Sequence, residues 1–449
     1  MSGPKVVRIV TREEIEAICR RHIAAVEAAA GELGRRARRC GMLDGALEAA
    51  VSARLAAFAA MLARGQWMDI QKGAPEAVAF LQAEAARLEA SATAAAAAER
   101  HRDRRSADAA RSVAGALEAA GVTVPAGLRA AAQGRAGSPD EAERLIAAGL
   151  ALVPAARSAT AARGELAMRL GAGEAARSVA DLLAGQASEP TATERRLDAL
   201  LAELGILDAD GSFARRADAA AHEADPSRQA LLTDSLVMDA AAHVAALRRR
   251  EAAAARLRAA AAALGTLQGA EADELCGRLQ AAADQGQVDA IDALVAEAET
   301  MLEAGIKTAA AAARRSAVLA GLASLGYEVR ETMASAWERD GRIVVRKPGA
   351  TDYGVELGAP ADAARLQVRL VGSAQPSVPR DARRDADQET IWCSEFDRLR
   401  AELAGAGGEI VIERACLPGA QPLRSVPMPR DAQSGQAEPA RKHLERRMP

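Results

Sequence analysis

Between Phe80 and Tyr327 this chain carries one aromatic residue, Phe213, whereas Tyr327, Trp337, Tyr353, Trp392 and Phe396 crowd into the stretch that follows. A run of that length without large rings cannot fill a thick globular core. Its Ala, Leu, Arg and Glu suit helices whose backbones approach closely. Half of the residues are hydrophobic but only 2% are aromatic, so the apolar content is mainly Ala, Leu and Val. Ala buries little area, and at roughly 25 cal/mol per Å² such helices need length, several neighbours or a partner chain to become stable. The aromatic-rich part has the material of a compact module.

Of the 58 basic residues five are Lys (Lys5, Lys72, Lys307, Lys347, Lys442) and the rest are Arg. Arg with abundant Ala and Gly is what a GC-rich genome supplies, and we read the chain as bacterial. A net charge of −3 argues against a generally basic nucleic-acid binder. The cysteines Cys19, Cys40, Cys276, Cys393 and Cys416 are scattered and never in a C-x-x-C pair, as expected of reduced thiols in the cytoplasm. Lys5 and Arg8 surround a very short apolar run and charges interrupt every Ala-rich window, so neither a signal peptide nor a spanning helix is expected.

Val6 to Val10 is β-branched and reads as a strand, followed by a T-x-x-E capping box at Thr11 and Glu14. Ile15, Cys19, His22, Val26 and Leu33 then recur at helical spacing. After Gly41 a second stripe runs through Leu47, Val51, Leu55, Phe58 and Leu62, and the two helices are expected to pair. Gly73 and Pro75 punctuate the chain, with Pro75 suited to the first turn of a long helix reaching Gly121. Shorter helices follow, one opened by Ser138 to Glu141 and another by Thr191 to Glu194, the latter expected to end at Gly205.

The clearest heptad passes through Leu236, Ala240, His243, Leu247, Arg250, Ala254, Leu257, Ala261 and Leu264, started by Asp225 and Pro226 and stopped by Gly265. Beyond a turn at Gly286 a second seam, Val288, Ile291, Val295, Ala298 and Leu302, predicts the other arm of a helical hairpin. From Tyr327 the period becomes two: Ile343 and Val345; Tyr353, Val355 and Leu357; Leu366, Val368 and Leu370; Ile410 and Ile412. Trp392, Phe396, Leu399 and Leu403 form a helical stripe between the last two strands, which predicts a strand meander covered by a helix, with Ala309 to Leu325 as a second cover. The strand at Val6 to Val10 is expected to add to an edge of this sheet. The segment from Gly372 to Asp387 and the Pro-rich tail after Cys416 are expected to be mobile.

Motifs carrying chemistry are sparse. There is no G-x-x-x-x-G-K-[ST] loop, and Gly171, Gly173 and Ala176 imitate a dinucleotide fingerprint only after a helical stretch where a strand is needed. Cys19 and His22 share a helix face without the rest of a metal site. Asp208, Asp210, Gly211 and Ser212 read as an Asp-Gly turn, since the place of a calcium loop's closing acid is Ala219. No metal or cofactor is expected. Metal-assisted hydrolysis would need two or three carboxylates converging on one ion; Asp352 and Glu356, near Arg342, Arg346 and Arg369, are better explained as cross-strand ion pairs.

Five residues remain as candidates for interaction. His243 and Arg250 occupy seam positions, where a polar group selects register or partner unless it reaches past its small neighbours into water. Asp340 and Gly341 predict a two-residue hairpin turn that sets Trp337 beside Arg342 and Arg346. Either a bulge turns Trp337 into the core, the preferred reading, or Trp337 lies among arginines as a contact surface. The arginine runs at Arg35 to Arg39, Arg102 to Arg105 and Arg248 to Arg250 are flanked by acids and read as solvated helix faces.

The expectation is a mainly α chain: a strand and helical pair at 1–73, a long helix and shorter ones at 74–190, a hairpin or coiled-coil region at 191–325, an α+β module at 326–416 and a disordered tail at 417–449. Such a chain reads as a non-enzymatic cytoplasmic scaffold or adaptor that assembles with itself or with partner proteins, the module serving recognition. The alternative is a nucleic-acid-associated coiled-coil protein using its Arg-rich helix faces. No membrane partner is expected.

Overall fold

The computed structural model describes residues 4–135, 137–153, 191–207, 210–286, 291–359, 364–377 and 379–428. It is mostly helical, with a small antiparallel sheet covered on one face by helices. The dinucleotide-like glycines near 171 and the tail beyond 428 lie outside the described residues.

β1 (Lys5–Val10) leads into α1 (Arg12–Arg39) at Thr11, whose hydroxyl accepts from the Glu14 N–H. Half of the capping box forms. The Glu14 carboxylate is drawn instead to Arg314, 2.9 Å away, because a partly buried guanidinium is the stronger partner. α1 stops before Gly41, whose φ of 67° takes the left-handed turn. α2 (Gly45–Ala63) pairs with it as expected, but buries only Phe58.

α3 (Trp67–Ala119) corrects one expectation: Pro75 lies inside this 53-residue helix and not at its start. Trp67 to Ala74 already supply a helical turn and a buried anchor at Ile70, and tertiary packing overrides the lost hydrogen bond. At 1.5 Å per residue α3 spans about 80 Å. α4 (Ala126–Ala132) and α5 (Pro139–Leu152) fold back on its far end around Val113, Leu117, Leu128 and Ile146.

α6 (Ala192–Leu207) opens with a complete capping box, Thr191 N–H to Glu194 at 2.7 Å and Glu194 N–H to the Thr191 hydroxyl at 3.2 Å, and runs through Gly205 without ending there. α7 (Ser212–Ala221) and α8 (Pro226–Leu264) follow. The expected hairpin is really a three-helix arrangement. α9 (Ala270–Gln285) was not foreseen, and it shares with α8 and α10 (Ile291–Ser324) a core of Leu257, Leu264, Leu275, Leu279, Ile291 and Leu302. α8 is also more than a two-partner seam: its earlier half packs Leu236, Val237, Ala240 and Val244 against α6.

α11 (Met333–Asp340) replaces the predicted hairpin. Gly341, at φ 66°, caps this helix, and its N–H bonds to the Trp337 carbonyl at 2.9 Å. An Asp-Gly pair serves a helix end as well as a strand turn, and the helix-forming Met333 to Arg339 decide between them. β2 (Arg342–Val345), β3 (Tyr353–Gly358) and β4 (Arg365–Ser373) form the meander, then α12 (Ala382–Gly405) crosses the sheet and leads to β5 (Glu409–Ala415).

The strand order is β2-β3-β4-β1-β5. β1 joins the sheet as expected but is no edge: Val7 stands between Leu366 of β4 and Ile412 of β5, antiparallel to both. Among the described residues β5 reaches the sheet only through β1. The core between sheet and helices holds Val7, Ile9, Val355, Leu357, Trp392 and Phe396, together with Val318 and Leu322 from the end of α10. Each such side chain contributes roughly 1.5–3 kcal/mol when fully buried.

Two further expectations are corrected. The segment after Gly372 is fastened: Ser377 donates its N–H and hydroxyl to Asp352 at 2.6 and 2.8 Å, and Asp381 caps α12 through the Arg384 N–H. The tail is fastened up to Met428, because β6 (Ser425–Val426) runs parallel to the end of β4 and buries Val426.

Candidate functional site

Alternation along the strands sends one set of side chains into the core and the other outward. A single outward row crosses the sheet from Arg342 through Gly358, Gln367 and Val6 to Arg414. The next row places Arg365 opposite Arg8, and Arg8 opposite Val411. Six arginines (Arg8, Arg342, Arg365, Arg369, Arg414 and Arg424) thus share this face with three glutamates (Glu356, Glu409 and Glu413). Arg365 pairs with Glu413 at 2.7 Å, while Arg369 and Arg424 reach Glu356 at 2.5 and 3.3 Å. Arg8, Arg342 and Arg414 are exposed and have no carboxylate partner among the described residues. A chain of net charge −3 therefore presents a basic, partly apolar sheet face, with Val411 43% exposed in its midst.

One end of this face is closed by the 423–428 segment. The Gly372 N–H bonds to the Arg424 carbonyl and the Ala374 N–H to that of Val426, both at 2.9 Å. Arg380 donates to the Leu423 carbonyl at 3.3 Å and lies across Gly372, where any Cβ would collide with its guanidinium. A Cβ on Gly354 would stand 3.2 Å from the Met428 sulfur, so glycine admits the strap there too. Glu356, 4% exposed, is sheltered by this strap.

Asp352 and Glu356 do not converge on a common point. Asp352 is held below the usual carboxylate range by the backbone and hydroxyl hydrogens of Ser377, with Arg384 3.8 Å away. Glu356 belongs to its arginines. Beside them Tyr353 donates to Asp385 at 2.9 Å, and burial followed by that hydrogen bond pushes its phenol up to about 12. Only Glu356 makes the expected cross-strand pair, with Arg369; Asp352 clamps a loop through Ser377, and both carboxylates are buried and not on a solvated face. Among the described residues no group of three or more His, Cys, Asp and Glu side chains is placed to hold a metal ion.

The sequence candidates fall in two places. Trp337 is 3% exposed inside α11, so it enters the core without any bulge, and it is no part of an arginine surface. Arg342 does lie on the outward face. Arg346 is 5% exposed and turns to Glu328 at 3.7 Å. His243 packs against Phe213 with ring centroids 5.3 Å apart, and Arg250 is exposed on α8. Neither is a core position: Val244 is buried beside His243, and Arg250 falls between the part of α8 that packs on α6 and the part, from Ala253 on, that packs on α9 and α10.

The arginine runs are corrected as well. Glu89 on α3, 4% exposed, gathers Arg36 at 3.5 Å, Arg39 at 3.2 Å and Arg248 at 2.6 Å. Arg104 pairs with buried Asp198, and Arg248 also reaches Glu203 at 2.8 Å. Members of all three runs therefore join α1, α3, α6 and α8 to one another. No sequence signal marked Glu89, which is one acid among many on a long Ala-rich helix.

Two helices, Gly45–Ala63 and Pro226–Leu264, are long and apolar enough to cross a membrane by length and composition. The second packs on α6 and α9 within the helical body. Comparison with known proteins adds no relative: no protein-family model, no curated protein and no solved structure matches the chain.

Proposed function

We propose that this chain is a non-enzymatic, cytoplasmic bacterial scaffold or adaptor whose helical body assembles with a second copy, and whose C-terminal α+β module recognises an acidic protein partner. The observation that carries the reading is on α8. Leu231 and Met238, seven residues apart on one helix face, stand 71% and 73% exposed, opposite the buried Leu236, Ala240 and Val244. Ser235, Ala242 and Ala245 continue that exposed stripe, which has the small-and-large pattern of a helix–helix contact. Arg8, Arg342 and Arg414, exposed and without a carboxylate partner among the described residues, favour an acidic partner for the module.

Nucleic acid is the weaker alternative, because Arg36, Arg39, Arg104 and Arg248, members of all three runs, are engaged with Glu89, Glu203 and Asp198. The division into 1–73, 74–190, 191–325, 326–416 and 417–449 is kept as a proposal for how the chain is built, with β1 working as part of the module. Sedimentation of the full chain over a range of micromolar concentrations tests the assembly. An oligomer is expected, reduced to monomer in Leu231→Glu/Met238→Glu with helical circular dichroism unchanged. A wild-type chain that stays monomeric throughout sinks the reading.

A further inference from the structure

Lys5 is 2% exposed; its Nζ lies 3.0 Å from the Cys393 sulfur and 4.9 Å from the centroid of the Phe396 ring. Among the described residues no carboxylate pairs with it. A guanidinium keeps its proton, so arginine at this place would offer no nucleophilic nitrogen. In a chain with only five lysines among 58 basic residues, one of them stands at this buried place. Cys393 is in no disulfide and is partly exposed on α12, whereas Lys5 is buried.

The geometry points to a hydroperoxide-responsive latch, in which oxidised Cys393 is captured by the Lys5 amine as a sulfenamide. In the first step the sulfur attacks one oxygen of hydrogen peroxide, the O–O bond breaks and water leaves. The sulfur loses two electrons, which the peroxide gains, and Cys393 becomes a sulfenic acid. In the second step the Nζ lone pair attacks that sulfur, the S–N bond forms and the S–O bond breaks. The hydroxyl departs as water with a proton from the amine, and no further electrons move. An added dithiol reverses the bond: its first thiolate attacks the sulfur and frees the protonated amine, and its second closes a disulfide that releases the Cys393 thiol. The link joins β1 to α12 across 388 residues, so the oxidised chain cannot withdraw β1 from the sheet. Cys416 follows Ala415, the register partner of Lys5, and is the competing thiol.

The test treats the full-length protein with stoichiometric hydrogen peroxide, alkylates remaining thiols in denaturant, and maps peptides by mass spectrometry. A species joining the Lys5 and Cys393 peptides, lighter than their sum by two hydrogen atoms, is expected. It should vanish on adding dithiothreitol, be absent from Cys393→Ser and Lys5→Arg, and persist in Cys416→Ser. A Cys393–Cys416 disulfide as the product, Cys393 carried to sulfinic acid with Lys5 unlinked, or the same species in Lys5→Arg would each overturn the latch. Should Lys5→Arg fail to fold by circular dichroism, acetylation of wild-type Lys5 in denaturant decides: protection after peroxide supports the link, and unchanged labelling defeats it.

Discussion

The Glu89 carboxylate receives the Arg248 guanidinium at 2.6 Å across 159 residues of chain. With Arg36 and Arg39 on the same acid, this contact ties α1, α3 and α8 at one point, where the Ala-rich helix surfaces offer little apolar area of their own. Removing the acid takes a shared partner from Arg36, Arg39 and Arg248, of which Arg39 keeps Glu251 and Arg248 keeps Glu203 and Glu251. Glu89→Ala is expected to cost about 1–3 kcal/mol in urea unfolding. Asp292→Ala, which breaks the exposed Arg256 pair, should cost less than about 1 kcal/mol. Equal effects would show that burial of Glu89 carries no special weight.

Among the described residues β5 is held to the rest of the sheet by β1 alone, so damage to β1 should be felt on both sides of it. In Val7→Asp, amide exchange is expected to quicken in β4 near Leu366 and throughout β5, while β2 and β3 keep most of their protection. Removal of residues 1–10 should give the same pattern more strongly. Unchanged exchange in β5 would contradict the strand order.

Both tyrosines of the chain lie in the module and both phenols are raised, Tyr353 to about 12 and Tyr327 further, by burial and by hydrogen bonds to Asp385 and Glu395. A folded-state phenol above its unfolded value of 10.0 binds a proton that the unfolded chain has lost. The stability it contributes is present below pH 10.0 and is lost as pH rises through about 12. In an alkaline titration the native protein should show no tyrosinate absorbance where a free tyrosine would ionise, and the band should appear together with loss of the module's circular dichroism. Ionisation of one tyrosine with the fold intact would refute the burial of that ring.

Where sequence and structure agree, the signal was local. Period-two runs such as Leu366, Val368 and Leu370, and caps such as Thr191 with Glu194, are fixed within a few residues and appear where expected. Losses began where a distant partner decides. Asp340–Gly341 suits two turn types, and the helix around Trp337 selected one. Glu14 left its cap for Arg314, three hundred residues on. The outward sheet face was legible only through Arg342, Arg369 and Glu356, since Arg8, Arg365 and Arg414 come together by a register that places β1 between β4 and β5. Neither Glu89 nor the Lys5–Cys393 pair leaves any trace in spacing.

The placement of Val7 between Leu366 and Ile412 also sets an order of events during synthesis. β1 leaves the ribosome well before β4 and β5 and must wait for them, with the helical body made in between. Closing so long a loop adds little to the equilibrium cost, which grows only with the logarithm of length, yet it delays the nascent chain's final pairing. Until then Val7 and Ile9 stay unsheltered, and chaperone dependence during translation should track that strand more closely than any helix.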